Sequence, residues 1–267
     1  MSIIEAAFLG VVQGLTEFLP VSSSGHLVIF QNLLKIDEPG VLFEIMVHVG
    51  TLLAVIIYFR KDVYHLIAAI FQWKKGRPEE VKSYQRLLFY IIVATCVTGI
   101  LGIGFQDLFE SFFDNLFLVG CMLLVTGLIL FISDRIKNTS REELNLGSSL
   151  LIGFAQSVAI IPGISRSGAT ISTAIFTRRT RETAARFSFL LSIPAILGAA
   201  LLNIKDLSQV MKIDGTGISY IIGGISAGIV SYFAIMFLIS LIKKAKLSYF
   251  SIYCWIIGIT IIIFSII

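Results

Sequence analysis

The apolar residues of this chain run in long blocks separated by short clusters of charge. Six blocks, at approximately 41–59, 87–104, 115–133, 186–204, 218–242 and 250–267, are long enough to cross a bilayer core, which takes about 20 apolar residues. Two further apolar stretches are broken. The stretch 3–36 is interrupted at Pro20-Val21-Ser22-Ser23-Ser24-Gly25-His26, and 148–177 at Pro162-Gly163-Ile164-Ser165-Arg166-Ser167-Gly168. The pattern predicts an all-α integral membrane protein. Residues 62–73 read as an amphipathic helix lying along the membrane surface.

The basic residues orient these blocks, because Lys and Arg concentrate on the cytoplasmic side. The connection 60–86 holds Arg60, Lys61, Lys74, Lys75, Arg77, Lys82 and Arg86. The connection 105–114 holds no Lys or Arg, only Asp107, Glu110 and Asp114, and the next holds Arg135, Lys137 and Arg141. This places 60–86 and 134–147 inside and 105–114 outside. The second broken stretch is followed by Arg178, Arg179, Arg181 and Arg186, so both its flanks are inside and it reads as re-entrant, with its Pro/Gly/Ser loop as the tip. Residues 205–217 then lie outside, Lys243, Lys244 and Lys246 inside, and both termini outside.

The two broken stretches resemble each other. Gly10 to Gln13, ten residues, then Ser24-Gly25 is matched by Gly153 to Gln156, ten residues, then Ser167-Gly168, with Ser22 matching Ser165. Each half is then one re-entrant hairpin plus three spans. Three is odd, so the halves (about 1–133 and 148–267) have inverted topology within a single membrane domain. Irregular backbone at membrane depth is tolerated only where protein or a wet cavity surrounds it. Paired broken helices of this kind mark a binding site where their tips meet near the midplane.

Composition sharpens the picture. Hydrophobic residues are 56% and charged residues 14% of the 267, against about a quarter charged in soluble domains. Lipid must therefore cover the surface. The net charge of +4 comes from residues at span ends and does not indicate nucleic-acid binding. Cys96, Cys121 and Cys254 sit inside apolar runs without metal-type spacing and read as small buried hydrophobes. The first residues lack the basic region and cleavage site of a removed signal peptide.

Ionisable groups at membrane depth are functional candidates. Glu17 is one helical turn from Gln13; the pair is either a polar clasp between helices or a hard-cation site for Mg²⁺ or Ca²⁺, which take carboxylate and amide oxygens. Arg166 at the second tip suits anion capture, since a guanidinium grips phosphate with paired hydrogen bonds. Ser165, Ser167 and the N–H groups around Gly163 and Gly168, at the positive end of a helix, add donors. Ser22, Ser23 and Ser24 supply hydroxyls, and Gly25 allows a turn that brings His26 back toward them as a base. Ser23 is the preferred nucleophile, because it is central in its loop and aligns with Arg166 in the repeat; attack by His26 or by water stays open. Glu44 and His48, four apart in one span, form a second polar pair facing either each other or the same cavity. His65 reads as interfacial and structural. Together these groups describe metal-assisted phosphoryl transfer.

Two stretches, Gln13-Gly14-Leu15-Thr16-Glu17-Phe18-Leu19-Pro20-Val21-Ser22-Ser23-Ser24-Gly25-His26 and Pro162-Gly163-Ile164-Ser165-Arg166-Ser167-Gly168-Ala169-Thr170, resemble the undecaprenyl-diphosphatases, also called bacitracin-resistance proteins. Length, span count and order match as well. The resemblance implies removal of the terminal phosphate from undecaprenyl diphosphate, giving the carrier lipid of bacterial wall precursors. It also implies a divalent cation, a site reached from the outer face of the cytoplasmic membrane, and a homodimer. By that resemblance Glu17 serves the metal or acts as acid/base, Ser23 and His26 act on the phosphoryl group, and Arg166 binds diphosphate. Some members carry Glu in place of Gln13, so here the amide either ligates through its carbonyl or orients Glu17. A transporter or flippase of a polyprenyl phosphate is the rival architecture. The type 2 phosphatidic acid phosphatase class is rejected: it needs a catalytic His after its Ser-Arg motif, and His26, His48 and His65 all precede Arg166.

Overall fold

A computed structural model describes residues 1–36, 40–72, 78–113, 115–137, 139–202, 216–244 and 246–266. Of the charges used above to orient the chain, Lys74, Lys75, Arg77 and Asp114 lie outside the described residues, as does the 205–215 part of the outer connection. So do the side chains of Asp107, Glu110, Lys243 and Lys244.

The described residues are helical: α1 (Ile3–Thr16), α2 (Ser23–Leu34), α3 (Gly40–Tyr58), α4 (Arg60–Phe71), α5 (Glu79–Gly104), α6 (Gln106–Glu110), α7 (Leu116–Asp134), α8 (Leu146–Val158), α9 (Arg166–Phe176), α10 (Arg181–Leu202), α11 (Thr216–Lys244) and α12 (Ser248–Ile266). Five of them, α5, α7, α10, α11 and α12, are each long and apolar enough to cross a membrane. The sixth predicted span is α3. It turns by 84° into α4, where Arg60, Lys61 and Asp62 end the apolar run. The expected amphipathic segment is thus helical over Arg60–Phe71, leaving Trp73 outside the described residues.

Each broken stretch folds as two short helices packed side by side, α1 with α2 and α8 with α9. With 14 and 13 residues, α1 and α8 reach only about 20 Å, short of the roughly 30 Å core. The parallel extends to their starts. Ser2 caps α1 and Asn145 caps α8, each in a capping box with the residue three positions on. These hydrogen bonds satisfy N–H groups that the first turn of a helix leaves without partners.

The halves exchange partners. Helix α1 packs on α11, and α8 packs on α5; α3 meets α11 as α10 meets α5; α3 packs on α10, and α7 on α12. The two first arms approach so closely that only glycine fits. A Cβ on Gly10 would lie 2.2 Å from the Gly223 carbonyl oxygen, and one on Gly153 would lie 2.6 Å from that of Ala94. The main core gathers Phe18, Ile171, Ile175, Phe187, Phe189 and Leu190. Outward faces keep large apolar side chains such as Ile100 and Ile225 exposed. Of the cysteines, Cys254 is buried, but Cys96 is exposed. That corrects its expected burial, because its face of α5 turns outward.

Candidate active site

Both tips are built by the same device. Ser22 caps α2 by accepting the N–H of Gly25, and Ser165 caps α9 by accepting that of Gly168. The two caps are then tied together. Gly163 N–H donates to Ser22 Oγ at 3.2 Å, and Ser167 Oγ donates to the Leu19 carbonyl at 3.0 Å. Gly163 takes a φ of +95°, which a side chain would resist; the backbones approach closely here, a Cβ on Gly25 lying 3.2 Å from Gly163. Thr126 of α7 fixes the second tip from outside, donating to the Gly163 carbonyl at 2.8 Å and accepting from Ser165 N–H at 3.1 Å. The expected meeting of the tips is therefore present.

Glu17 is the point of convergence. It follows α1 directly, and its side chain is 5% exposed. Its Oε1 accepts Arg166 Nη2 at 2.5 Å. Its Oε2 accepts Ser23 Oγ at 2.5 Å and Gln13 Nε2 at 2.9 Å, with His48 Nε2 at 3.5 Å. Burial makes each of these charge-assisted contacts strong, and makes the carboxylate costly to leave without them. Arg166 opens α9, so its guanidinium stands at that helix's start; Nη1 reaches the Ser188 carbonyl at 3.5 Å, and the group lies 5.8 Å from the Phe18 ring centroid.

Ser24 contacts Ser22, and Ser165 contacts Ser167. The expected pairing of His26 with Ser23 is not what the geometry gives. His26 Nδ1 donates to the Ser22 carbonyl at 2.8 Å, and Nε2 lies 2.8 Å from the Tyr253 hydroxyl. The group on Ser23 is Glu17. The reason is local: the carbonyl four residues before His26 lies within its own helical turn and captures the ring. Likewise His48 Nδ1 bonds the backbone carbonyl of Glu44 at 2.6 Å rather than its carboxylate, which leaves Nε2 facing Glu17. His65 stacks on Tyr84, away from these groups.

Sequence reasoning missed Tyr253, Thr126 and Ser188. The only signal was a polar group inside an apolar span, which many structural residues also give. For a metal, no group of three His, Cys, Asp or Glu side chains gathers among the described residues. One atom does fit a hard cation: Gln13 Oε1 is buried without a hydrogen-bond partner among the described residues, beside Glu17. Mg²⁺ is commonly held by one or two protein oxygens plus substrate phosphate oxygens and water, so this donor set is compatible.

Residues 6–260 match the profile of the family described as bacitracin resistance protein BacA. The chain belongs to this family. Among curated relatives, the undecaprenyl-diphosphatases of Halothermothrix orenii and Syntrophotalea carbinolica are each 44% identical, over 99% and 97% of both chains respectively. The undecaprenyl-diphosphatase of Methanobrevibacter smithii is 40% identical over 100% of this chain and 99% of its own. The similarity to these relatives runs through both hairpin tips.

Proposed function

We propose that this chain is a membrane phosphatase that hydrolyses undecaprenyl diphosphate to undecaprenyl phosphate and inorganic phosphate, recycling the carrier lipid for cell-wall synthesis. One observation carries the reading. In a chain similar throughout to undecaprenyl-diphosphatases, a hydroxyl, a carboxylate and a guanidinium meet at two facing helix starts.

The chemistry follows from that arrangement. The terminal phosphate draws Arg166 away from Glu17, because a diphosphate accepts paired hydrogen bonds from guanidinium. That frees Glu17 Oε1 and leaves Oε2 in contact with Ser23 as the base. Ser23 Oγ attacks the terminal phosphorus while its proton passes to Glu17 Oε2. The bond to the bridging oxygen breaks, and undecaprenyl phosphate leaves with that electron pair. Water then attacks the phosphoserine, Ser23 Oγ leaves with the bonding pair and regains its proton from Glu17, and the phosphate released keeps the water's protons. Ser22, Ser24, Ser165, Ser167, Gly25 and Gly168 shape the anion cradle, with the positive ends of α2 and α9 directed at it. His26 holds the first turn of α2, and His48 supports Glu17. Glu17 Oε1, once released from Arg166, and Gln13 Oε1 would hold a divalent cation, which supplies charge neutralisation to the diphosphate when bound.

The proposal includes the membrane arrangement: six spans, two re-entrant hairpins, inverted halves, both termini outside, and a homodimer in the bacterial cytoplasmic membrane. The reciprocal packing of α1 on α11 and α8 on α5 supports the inverted repeat.

The test is phosphate release from a polyprenyl diphosphate by the purified protein, with and without chelator, combined with rapid quench of substrate labelled in the terminal phosphate. We expect release that chelator suppresses and Mg²⁺ or Ca²⁺ restores, and label on protein that Ser23→Ala abolishes. Absence of release refutes the phosphatase reading. Label that survives Ser23→Ala and vanishes in His26→Ala moves the attack to His26; no label, with an active Ser23→Ala enzyme, assigns it to water. A cross-linking yield in native membranes that falls in proportion to protein density, as random collision gives, would refute the dimer.

A further inference from the structure

The last span reaches into the first tip at two consecutive residues. Tyr253 of α12 places its hydroxyl 2.8 Å from His26 Nε2, with the two rings stacked at 7° and 5.7 Å between centroids. Cys254 directs its thiol at the Pro20 carbonyl, 3.7 Å away. The second tip is held in the equivalent way by Thr126 of α7, and α7 and α12 pack against each other. Each tip is therefore fastened from outside its own hairpin by a polar side chain of a neighbouring span.

The direction of the Tyr253 bond can be worked out. A carbonyl only accepts, so His26 Nδ1, which faces the Ser22 carbonyl, carries a proton. In the neutral ring Nε2 then has only a lone pair, and the Tyr253 hydroxyl donates to it. This chain of bonds runs Tyr253 to His26 to the Ser22 backbone. Ser22 needs holding: its φ of 67° is in the left-handed region, which a non-glycine residue resists. The next residue is Ser23, and its hydroxyl must stay aimed at Glu17.

We propose that Tyr253 is a positioning residue for the reaction at Ser23, acting through its hydrogen bond to His26 to lock the first turn of α2. The role rests on the phosphatase reading for its kinetic consequences, but not for the bond itself. Tyr253→Phe keeps the ring and its stacking and removes only the hydroxyl. Misplacement of a reacting group by a fraction of an ångström to one ångström is expected to lower kcat about ten- to a hundredfold, with KM little changed.

Two readouts separate this role from simple packing. The first is a double-mutant comparison: Tyr253→Phe added to His26→Ala costs no further rate, because both changes break one chain of bonds. Multiplicative losses would show that Tyr253 acts independently and overturn the assignment. The second is the ¹⁵N spectrum of histidine-labelled protein without substrate, His26 being assigned by its loss in His26→Gln. Its Nε2 resonance should report an accepting nitrogen and shift when Tyr253→Phe removes the donor. An unshifted resonance, a parental kcat in Tyr253→Phe, or a loss confined to KM overturns the proposal. The spectrum needs no turnover, so a protein that fails to hydrolyse diphosphates still tests the Tyr253–His26 bond.

Discussion

Glu17 is bonded to a guanidinium, a hydroxyl and an amide at once, and that fixes what Arg166 must do. A group that leaves a buried carboxylate for a phosphate needs two parallel donors, not merely a charge. Arg166→Lys is therefore expected to lose roughly 10²–10³-fold in rate, nearly as much as Arg166→Ala. A Lys variant hydrolysing at close to the parental rate would make Arg166 a source of field only. A second arginine behaves oppositely. Arg179 is 3% exposed; among the described residues its Nε has no partner, and its Nη2 meets Ser148 Oγ at 3.4 Å. Burial, with the Arg141 charge nearby, pushes its pKa below the usual arginine value. A buried charge without a counterion is costly, so Arg179→Met should raise the melting temperature of the detergent-purified protein by a few degrees; a clear fall would refute that. At this scale the sequence named Gln13, Glu17, Ser23 and Arg166 correctly as neighbours-to-be, because the matched motifs set them at the same points of two hairpins. It paired His26 with the wrong group since spacing along a helix does not say which of two nearby acceptors captures a ring. Tyr253 and Thr126 come from distant spans whose rotation the apolar pattern does not encode.

The elements show a different kind of legibility. Every predicted span is a helix, yet α5 begins at Glu79 rather than 87, and α10 at Arg181 rather than 186. Apolarity marks the immersed part of a helix, while the hydrogen-bonded ladder continues into the polar ends, here through Lys82, Gln85 and Arg86 in α5. The short α6 was missed because five residues carry no periodicity. The repeat was visible in the matched Gly10 and Gly153, and the structure gives the reason: both lie where a first arm crosses the backbone of the opposite half. Small residues let helices approach in this way. Alanine is the better helix former by about 1 kcal/mol, so on propensity alone Gly10→Ala and Gly153→Ala would stabilise. Overpacking against a carbonyl at 2.2 and 2.6 Å should instead destabilise each by roughly 1–3 kcal/mol. Thermal unfolding of the two variants checks the sign, and a rise in melting temperature for either would mean that the arms part without cost.

For the whole molecule, the inverted repeat makes a claim about sides of the membrane that packing alone does not establish. Hairpin arms of 14 and 13 residues cannot each cross a core of about 30 Å, and the tips bond to each other rather than to opposite surfaces. In the proposed arrangement the two hairpins enter from opposite faces, and each leaves by the face it entered. In that arrangement the flanking charges assign the face: Arg135, Lys137 and Arg141 before the second hairpin, and Arg178, Arg179, Arg181 and Arg186 after it, would put both its ends inside. Single cysteines placed in a background lacking Cys96, Cys121 and Cys254 test this in intact cells with an impermeant thiol reagent. Lys35, after the first hairpin, and Asn115, before α7, are exposed, and cysteines there should react from outside. Glu79, Glu143 and Glu182 are also exposed, and cysteines there should react only after the membrane is permeabilised. The decisive pair is Glu143 and Glu182, which bracket the second hairpin. If Glu182→Cys reacts from outside while Glu143→Cys does not, α8 and α9 together make a crossing. The halves then lose their inverted relation, and the shared site at Glu17 and Arg166 needs another explanation for its symmetry. If both stay protected and Lys35→Cys reacts, the two tips enter from opposite faces, and the clamp and the nucleophile meet because the chain repeats itself upside down.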